Sequence, residues 1–246
     1  MTFRLFSYDK KSLRLFGVRV THLTKKKFEC PICAYHGPFE DINSDTGLRR
    51  YAKCPKCGSL ERHRLQYLVA HSIFASLPTS HMTMLHFAPE AFLKAFFSQQ
   101  FFKYETADLS MEGVDHRVDL QSLPFADATY DVVFASHVLE HIPDDKKAIQ
   151  EIRRILRPNG IALLPVPIIS EITVEYTEPS PNEHCHVRAP GLDYYDRFVP
   201  YFTRVEKYVS DAFPEKYQLF IYEDRSRWGS NIEDDKHIDI VPVCYV

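Results

Sequence analysis

Two short cysteine motifs in the first quarter of the chain constrain its fold most strongly. They read CPIC at 30–33 and CPKC at 54–57, with twenty residues between them. Each C-x-x-C pair can turn two thiolates toward one point, and two pairs can then surround one ion tetrahedrally. The spacing is typical of four-cysteine zinc sites, which leave no coordination position for water. The sequence therefore predicts a structural Zn²⁺ on Cys30, Cys33, Cys54 and Cys57.

Other interpretations of these cysteines stay open at this stage. The same ligands suit an iron centre of the rubredoxin type, and four buried but unligated cysteines are the remaining alternative. Gly58 directly follows the second pair and favours a tight turn whose N–H groups can bond to the sulfurs. Metal binding fits a reducing compartment better than a disulfide framework does, which predicts a cytoplasmic protein. Cys244 lies in an apolar stretch and is expected in the core.

The composition is that of a globular protein. Of the 246 residues, 45% are hydrophobic and 26% are charged, and this length suits one α/β domain with a small appendage. The most apolar run, 161–169, is short and interrupted by proline, so no membrane span is expected. The first twenty residues are basic and amphipathic but have no continuous apolar core and no cleavage site, so no secretory signal is expected.

Charge is spread unevenly along the chain. The formal net charge is −3, yet residues 1–64 hold 14 of the 30 lysines and arginines and only 6 of the 33 acidic residues. A basic front end can face nucleic acid or another anionic partner. Alternatively, these cations belong to a solvated small domain and offset the charge of zinc-bound thiolates.

Apolar spacing divides the chain into two predicted domains: an arm and zinc ribbon over 1–58, and a larger domain over 59–246. The arm covers 1–23. A helix is predicted over 59–77, where Pro78 ends it. Beyond it, short apolar strands alternate with helices, a pattern typical of a parallel sheet. The predicted strands are 83–87, 104–107, 114–118, 131–136, 161–166, 202–209 and 237–245, the further helices are 91–102 and 145–156, and 210–236 is left unassigned.

The motifs of the second part resemble those of a known family. Between residues 83 and 168 the chain reads TMLHFAPE, YETADL, VDLQSLPF, YDVVFASHVLEHI and RRILRPNGIALLPVPI, in that order. This series resembles class I S-adenosylmethionine-dependent methyltransferases of the ubiquinone/menaquinone type. With CPKCGSLERHR added, the whole chain resembles bacterial zinc-ribbon methyltransferases. The resemblance implies an α/β fold with a doubly wound, mostly parallel, seven-stranded Rossmann-like sheet behind an N-terminal four-cysteine zinc ribbon, and S-adenosylmethionine as the cofactor.

The first motif departs from the family pattern. A glycine-rich loop, G-x-G-x-G, usually follows the first strand, because glycine lets the backbone approach the cofactor closely. This chain has HFAPE at the same place, where Ala88 is a partial substitute for glycine and Pro89 pre-sets the turn. The resemblance implies that this loop lines the methionine part of the cofactor, through His86, Phe87, Ala88, Pro89 and Glu90.

The resemblance also assigns the remaining cofactor contacts. Asp108 should accept hydrogen bonds from both ribose hydroxyls, although an aspartate after a strand is often only a turn former. Asp119 and Leu120 should face the adenine amino group. Ser136 and His137 should lie under the transferable methyl group. All of these residues follow predicted strands, at the edge where open α/β sheets bind ligands.

Histidines dominate the predicted acceptor side. A hydroxyl or ammonium acceptor must lose a proton to a base, and histidine can accept one near neutral pH. The candidate catalytic residues are His137, His141 and His186. Glu140 belongs to the same HVLEH motif, but it and His141 are equally well explained as a helix cap and anchor. The predicted acceptor-binding residues are His184, His186, Arg188 and Tyr194, of which Arg188 suits a carboxylate or phosphate; Tyr176, Tyr195 and Phe198 either wall the pocket or belong to the core.

Three functions are compatible with this pattern. The first is O- or N-methylation of a small molecule, such as a sugar or a secondary metabolite. The second is RNA methylation, with the basic zinc-ribbon end holding RNA; the chain lacks the N-P-P-[YF] tetrapeptide with which many base-methylating enzymes hold a planar amine. The third is a non-catalytic interaction protein that keeps the fold. The acceptor atom and the oligomeric state are not predicted.

Overall fold

A computed structural model describes residues 25–44, 47–223 and 236–246. They form two compact units. The first comprises the described residues up to Arg64 together with Phe213–Ile238, and the second comprises Leu65–Ala212 and Asp239–Val246. The predicted arm over 1–23 lies outside the described residues. None of the helices in the described ranges combines the length and the hydrophobicity that a bilayer span requires.

Short antiparallel strands build the first unit. Their bounds are β1 (Phe28–Glu29), β2 (His36–Gly37), β3 (Glu40–Ser44), β4 (Gly47–Lys53), β13 (Ile221–Glu223) and β14 (Lys236–His237). Strands β1 and β2 pair with each other, and the other four form a sheet in the order β14-β13-β4-β3. The two-residue strands β1 and β2 bracket the first cysteine pair, so the motif sits at the tip of a small hairpin.

A late segment of the chain completes this first unit. The sequence prediction placed a boundary after residue 58 and assigned 213–238 to the second domain. In the structure β13 pairs with β4, with Tyr222 opposite Arg50, and residues up to Arg64 belong to the first unit. Because these pairing partners lie far apart in sequence, no local pattern signals the contact.

Arg64 holds the first unit together from its interior. Its side chain is fully buried, and the guanidinium donates hydrogen bonds to the carbonyl oxygens of Ala52, Ser59 and Gln218 at 2.6–3.1 Å. The guanidinium carbon lies 4.5 Å from the centroid of the Phe39 ring. Burial lowers the pKa of Arg64 from its ordinary value, and the fan of carbonyl acceptors replaces the hydration that the buried cation has lost.

A seven-stranded sheet forms the centre of the second unit. Its order is β12-β15-β9-β8-β5-β6-β7, in which β15 is antiparallel to both neighbours and all other pairs are parallel. This confirms the predicted α/β class and the mostly parallel seven-stranded sheet. The bounds are β5 (Thr83–Phe87), β6 (Lys103–Asp108), β7 (His116–Arg117), β8 (Tyr130–Ala135), β9 (Leu156–Leu163), β12 (Arg204–Val209) and β15 (Ile240–Tyr245).

The helices are shorter than predicted at their ends. They are α1 (Glu61–Phe74), α2 (Ala91–Phe97) and α3 (Asp145–Ile155). Helix α3 is capped by Asp144, whose carboxylate accepts the backbone N–H of Lys147 at 3.0 Å, and this removes one of the unpaired donors of the first turn. The predicted apolar face of α3 is confirmed, since Ile149, Ile152 and Ile155 are fully buried. Each such side chain contributes about 1.5–3 kcal/mol to stability.

Strand β9 differs from its predicted bounds. The sequence predicted a strand over 161–166, whereas β9 already begins at Leu156 and includes the RPNG segment. Leu156 pairs with Tyr130 and Ile161 with Val132, so the register shifts between them. Asn159 accommodates the extra residues with a positive φ of 65°, which asparagine tolerates better than most residues.

A small hairpin between β9 and β12 was not predicted. It consists of β10 (Val174–Ser180) and β11 (His186–Ala189), which pair antiparallel. A 3₁₀ helix, Leu192–Phe198, follows and buries Tyr194, Tyr195 and Phe198. Strand β10 is polar and largely exposed. It therefore lacks the alternation of apolar and polar residues from which a strand can be predicted.

Candidate active site and metal centre

The structure brings the four predicted cysteine ligands together. All four Sγ atoms lie within 4.8 Å of one another. The Sγ atoms of Cys30 and Cys57 are 3.7 Å apart, and those of Cys33 and Cys54 are 3.6 Å apart. Burial, and then the neighbouring Cys30, raise the pKa of the Cys33 thiol to about 12. A cation is therefore needed to hold such a cluster in its thiolate form.

The two cysteine pairs have the same backbone geometry. In each, the N–H of the first cysteine donates to the carbonyl five residues later, at 2.8 and 2.9 Å. The residue after the second cysteine, Ala34 or Gly58, donates its N–H to the carbonyl of the first cysteine. Both adopt positive φ, 54° and 82°. Gly58 was predicted to permit this turn, and Ala34 makes the same turn without glycine.

The sulfur geometry fits a tetrahedral ion. With Zn–S bonds of about 2.3 Å, the edges of a tetrahedron of sulfurs measure about 3.8 Å. The two shortest edges observed, 3.6 and 3.7 Å, are close to this value. The hydroxyl of Ser59 lies 3.2 Å from the sulfur of Cys57 and 3.5 Å from that of Cys30. Ser59 thus contacts two sulfurs of the cluster.

In the second unit, the loop after β5 turns at the predicted place. Ala88 adopts a positive φ of 48°, and its N–H donates to the carbonyl of Ala107 at 3.0 Å, at the end of β6. This left-handed conformation is the one that glycine adopts without penalty. The missing family glycine is therefore replaced by an alanine in a glycine-like conformation. Pro89 and Glu90 follow, half-buried, and Glu90 precedes the first turn of α2.

His86 faces the core rather than the edge of the sheet. Its side chain is fully buried, with the ring packed against Phe97 and Phe134 at centroid distances of 5.3 and 5.0 Å. Nδ1 is 2.8 Å from the hydroxyl of Tyr104. Burial lowers the pKa of His86 to about 3. His86 is thus enclosed by aromatic side chains of the core, and its contact with the cofactor stays a prediction.

Asp108 is the last residue of β6, and Asp119 lies in the loop that follows β7. Oδ1 of Asp108 accepts the backbone N–H groups of Ser110 and Met111, each at 2.7 Å. Oδ1 of Asp119 accepts the N–H of Gln121 at 2.8 Å. Both aspartates therefore shape a turn. Among the described residues, the hydrogen bonds to the Asp108 carboxylate all use Oδ1, so Oδ2 can accept further donors.

The structure separates the predicted adenine neighbours. Leu120 is buried in the main core, whereas Asp119 beside it is exposed. Two apolar residues that the sequence analysis did not select are exposed next to Asp108: Leu109 at 68% and Met111 at 39%. The available signal was their position directly after a strand ending in an aspartate. Phe87, by contrast, is buried in the same core as Leu120.

The HVLEH segment begins where β8 ends. Ser136 is buried, and its hydroxyl has no hydrogen-bond partner among the described residues. His137 adopts a positive φ of 54° and donates its N–H to the carbonyl of Pro165 at 2.9 Å. A histidine in this strained conformation is uncommon, and such outliers concentrate at functional sites.

Four predicted acceptor-side residues converge in space. Oε1 of Glu140 lies 3.3 Å from Nδ1 of His137 and 4.0 Å from Nε2 of His186. The rings of His141 and His186 are 4.7 Å apart at nearly a right angle. Glu140 and His186 are buried, and His141 is exposed. The structure thus joins residues that are more than forty positions apart in the sequence.

Charges within this cluster stabilise one another. Burial alone raises the pKa of Glu140, but the nearby His137 and the charge of His141 outweigh it, so the net direction is downward. Burial lowers the pKa of His186 to about 4. The neutral imidazole is the form that can accept a proton or bind a metal ion.

Arg188 and Tyr194 are both buried and form hydrogen bonds with other groups of the protein. The buried Arg188 guanidinium donates to the carbonyls of Leu139, Ile142 and Pro143 at 2.7–3.0 Å, and its Nε donates to the carboxylate of Glu175. These contacts use the donors that a substrate carboxylate would need. Tyr194 is fully buried, and its hydroxyl donates to Asp145 at 2.7 Å. Their contact with an acceptor stays a prediction.

The other predicted wall residues divide between core and cluster. Tyr195 and Phe198 belong to the main core. The hydroxyl of Tyr176 donates to the carboxylate of Glu183 at 2.8 Å, and Oε2 of Glu183 lies 3.8 Å from Nδ1 of His186. His184 is exposed with a positive φ of 53°, so its position is set by the turn between β10 and β11.

A family model matches part of the second unit. Residues 79–164 match the model described as a methyltransferase domain. Over these residues, about a third of the chain, the protein is similar to that family. Its relatives among curated proteins match over short segments only. A Caenorhabditis elegans sterol 4-C-methyltransferase is 45% identical over 42 residues, 17% of this chain and 13% of that protein.

A second curated relative is also named as a methyltransferase. The 27-O-demethylrifamycin SV methyltransferase of Amycolatopsis mediterranei is 41% identical over 54 residues, which cover 22% of this chain and 20% of that protein. The chain thus spans less than two thirds of the length of these relatives.

Solved structures are similar to this chain in fold, although their sequence identity with it is low. An S-adenosylmethionine-dependent methyltransferase from Mesorhizobium loti has a TM-score of 0.50 at 11% identity, covering 73% of this chain and 97% of the other. The [4+2]-cyclase SpnF has a TM-score of 0.50 at 13% identity, covering 95% and 96%. A cyclase and a methyltransferase therefore share this architecture, and the chemistry must be argued from the site.

Proposed function

We propose that this protein transfers a methyl group from S-adenosylmethionine to a small molecule and holds one structural zinc ion in its first unit. The observation that carries the proposal is the shared edge: the Ala88 turn, Asp108 and His137 all follow strands of the parallel sheet at their carboxyl ends. Ligands bind at this edge in open α/β sheets.

The cofactor positions follow from the free groups at that edge. The glycine-like turn at Ala88 brings backbone rather than side chain toward the methionine part. Oδ2 of Asp108 is placed to accept ribose hydroxyls, and the exposed side chains of Leu109 and Met111 offer an apolar surface for the adenine ring. Asp119 remains the proposed partner of the adenine amino group.

Methyl transfer itself is an in-line displacement. The acceptor atom forms a bond to the methyl carbon while the carbon–sulfur bond breaks and its electron pair stays on sulfur. Holding the reactants in line supplies a large part of such a rate. His137, His141 and His186, together with Glu140, surround the acceptor side and offer sites for the proton that a hydroxyl or amine must lose.

A small acceptor fits the charges better than RNA does. Several cations of the basic front end are engaged within the first unit: Lys25 with Asp41, Arg49 with Glu61, and Lys26 with Glu215. Arg64 is buried. Cations that already face carboxylates contribute less to phosphate binding. RNA binding that weakens steeply with salt would favour the alternative acceptor.

Zinc is the ion that we propose for the four cysteines, with a structural role. All four ligands come from the protein and the sulfur edges match Zn–S bonds, so the ion would stabilise the first unit without an open position for chemistry. Free thiols outside the cluster, such as Cys185, agree with the reducing cytoplasm that we propose as the location.

A pair of matched variants tests the cofactor site. Asp108→Asn removes the charged ribose acceptor, whereas Glu112→Gln removes a charge from an exposed residue of the same loop. We expect Asp108→Asn to weaken S-adenosylmethionine binding about 10–100-fold, as loss of hydrogen bonds to a charged group does, and Glu112→Gln to leave it unchanged. Equal affinity in both variants, measured by calorimetry, would contradict the ribose assignment.

A further inference from the structure

Three side chains of the second unit that could bind a metal ion lie close together. The ligand atoms of Glu140, His141 and His186 all lie within 4.8 Å of one another. Two come from the segment after β8, and the third begins β11. This group is separate from the four cysteines, which belong to the first unit.

Glu140 is the most unusual member. It is fully buried, yet neither carboxylate oxygen makes a hydrogen bond of acceptable geometry among the described residues. Its nearest basic neighbour is Nδ1 of His137, at 3.3 Å. Nδ1 of the buried His186 also has no hydrogen-bond partner among these residues. Burying a carboxylate costs several kcal/mol unless it is paired or coordinates a metal ion.

Arg188 fixes the two segments of the cluster against each other. It lies two residues after His186 on β11 and donates to the carbonyls of Leu139 and Ile142, which flank Glu140 and His141. Buried hydrogen bonds of this kind hold donor atoms in place before a ligand arrives. Arg188 is a positioning residue for the cluster.

The distances allow coordination after a small adjustment. Metal–ligand bonds of about 2.1 Å place neighbouring donors about 3.0–3.4 Å apart. Oε1 of Glu140 and Nε2 of His186 are 4.0 Å apart, so they need to approach by less than about 1 Å. His141 is exposed, and rotation of its side chain can supply the third donor.

We propose that Glu140, His141 and His186 bind a divalent transition-metal ion. Two imidazoles and one carboxylate suit Fe²⁺, Co²⁺, Mn²⁺ or Zn²⁺ and disfavour Mg²⁺, which prefers oxygen ligands. Three protein ligands leave coordination positions open on the exposed His141 side. The carboxylate of Glu183, which accepts a hydrogen bond from the hydroxyl of Tyr176, lies 3.8 Å from Nδ1 of His186.

The open positions suggest the class of acceptor. This step rests on the proposed methyl transfer: an acceptor hydroxyl bound to the ion would have a lowered pKa and lose its proton to His137 or to water. The resulting oxygen anion would form the new bond to the methyl carbon, and the sulfur would keep the electrons of the broken bond. The proposal therefore favours acceptors with two adjacent oxygens, such as a vicinal diol or a hydroxy acid, over amines.

The test counts metal ions in the full chain. Zinc-loaded protein, dialysed against a weak chelator, is titrated with Co²⁺ by calorimetry, and bound cobalt and zinc are measured by elemental analysis. We expect one zinc plus one cobalt per chain in the wild type, and a loss of at least about 10-fold in Co²⁺ affinity, as removal of a ligand causes, in His141→Asn and Glu140→Gln. His81→Asn, a change at another exposed histidine of the same unit, should bind cobalt as the wild type does.

The outcomes separate this proposal from the proposed function. His141 is exposed, so its variant should remain folded even if Glu140→Gln does not, and circular dichroism checks this. Absence of the second ion in folded wild type, or equal Co²⁺ affinity in wild type and His141→Asn, would overturn the metal site. Binding of S-adenosylmethionine is measured on the same samples: a second ion without cofactor binding would retain the metal site and reject methyl transfer.

Discussion

Nη1 of Arg188 donates a 2.7 Å hydrogen bond to the carbonyl oxygen of Leu139, forty-nine residues earlier in the chain. With its bonds to Ile142 and Pro143, this contact links strand β11 to the segment that follows β8. The guanidinium is buried and its donors are occupied by protein groups. Arg188, which the sequence analysis proposed as an acceptor-binding cation, therefore holds two segments of the second unit together.

Removing the hydrogen bonds of Arg188 should destabilise the second unit. Arg188→Met keeps much of the side-chain volume but removes a hydrogen bond from each of three carbonyl groups, and we expect a loss of about 3 kcal/mol in the free energy of unfolding. Urea unfolding measures it. Arg117→Met, at an exposed position on β7, should change stability by less than about 0.5 kcal/mol. Unchanged stability in Arg188→Met would contradict this stabilising role of the buried guanidinium.

Replacing Ala88 by glycine should stabilise the protein. Ala88 has a φ of 48°, and this left-handed conformation costs about 1 kcal/mol for a residue with a Cβ atom but not for glycine. Ala88→Gly should therefore raise the free energy of unfolding by up to about 1 kcal/mol. Ala75→Gly, at an exposed position with no positive φ, should not stabilise the protein. Thermal unfolding of both variants compares them, and a lower stability of Ala88→Gly would show that the turn gains nothing from glycine.

The four cysteines should bind one zinc ion whose loss unfolds the first unit. Cys57→Ser replaces one thiolate by a weaker ligand, so we expect zinc content to fall well below one ion per chain and trypsin to cleave the first unit. Cys185→Ser changes an exposed cysteine outside the cluster and should keep one zinc. Elemental analysis and limited proteolysis check both. Full zinc content in Cys57→Ser would contradict the assignment.

The buried His86 should make stability depend on pH. Burial lowers its pKa to about 3, below the ordinary value of about 6.5 in the unfolded chain. Between these values the unfolded state binds the extra proton, so the contribution of His86 is complete above about pH 6.5 and is lost as pH falls. At pH 5 the loss is about 2 kcal/mol. Urea unfolding at pH 7 and pH 5 should show this sensitivity reduced in His86→Phe and unchanged in His81→Asn; equal sensitivity in wild type and His86→Phe would refute it.

Local patterns predicted the elements that depend on local contacts. Strand β5 begins and ends where the sequence placed it, at Thr83 and Phe87, because three of its five residues are apolar, as in a strand that is covered on both faces. The cysteine spacing likewise predicted a cluster that the structure assembles. Pairing of β13 with β4 was not predictable, since Tyr222 and Arg50 meet only through the fold.

Side-chain direction limited the site predictions. His86 and Leu120 lie in the predicted motifs, but both point into the interior, and a motif does not reveal which face of a strand its side chain takes. Arg188 and Tyr194 were assigned by residue type, whereas their roles come from buried partners, such as Pro143 and Asp145, elsewhere in the chain. Glu140 was the converse case: its burial beside His186 became visible only in three dimensions.

Binding of the cofactor to the wild-type protein tests the central claim most directly. S-adenosylmethionine and S-adenosylhomocysteine are titrated separately into zinc-loaded protein by calorimetry. The account predicts one site per chain for each, with dissociation constants on the order of 1–100 μM, about −5 to −8 kcal/mol. No heat of binding for either ligand, from a protein shown to be folded and to contain its zinc, would contradict it.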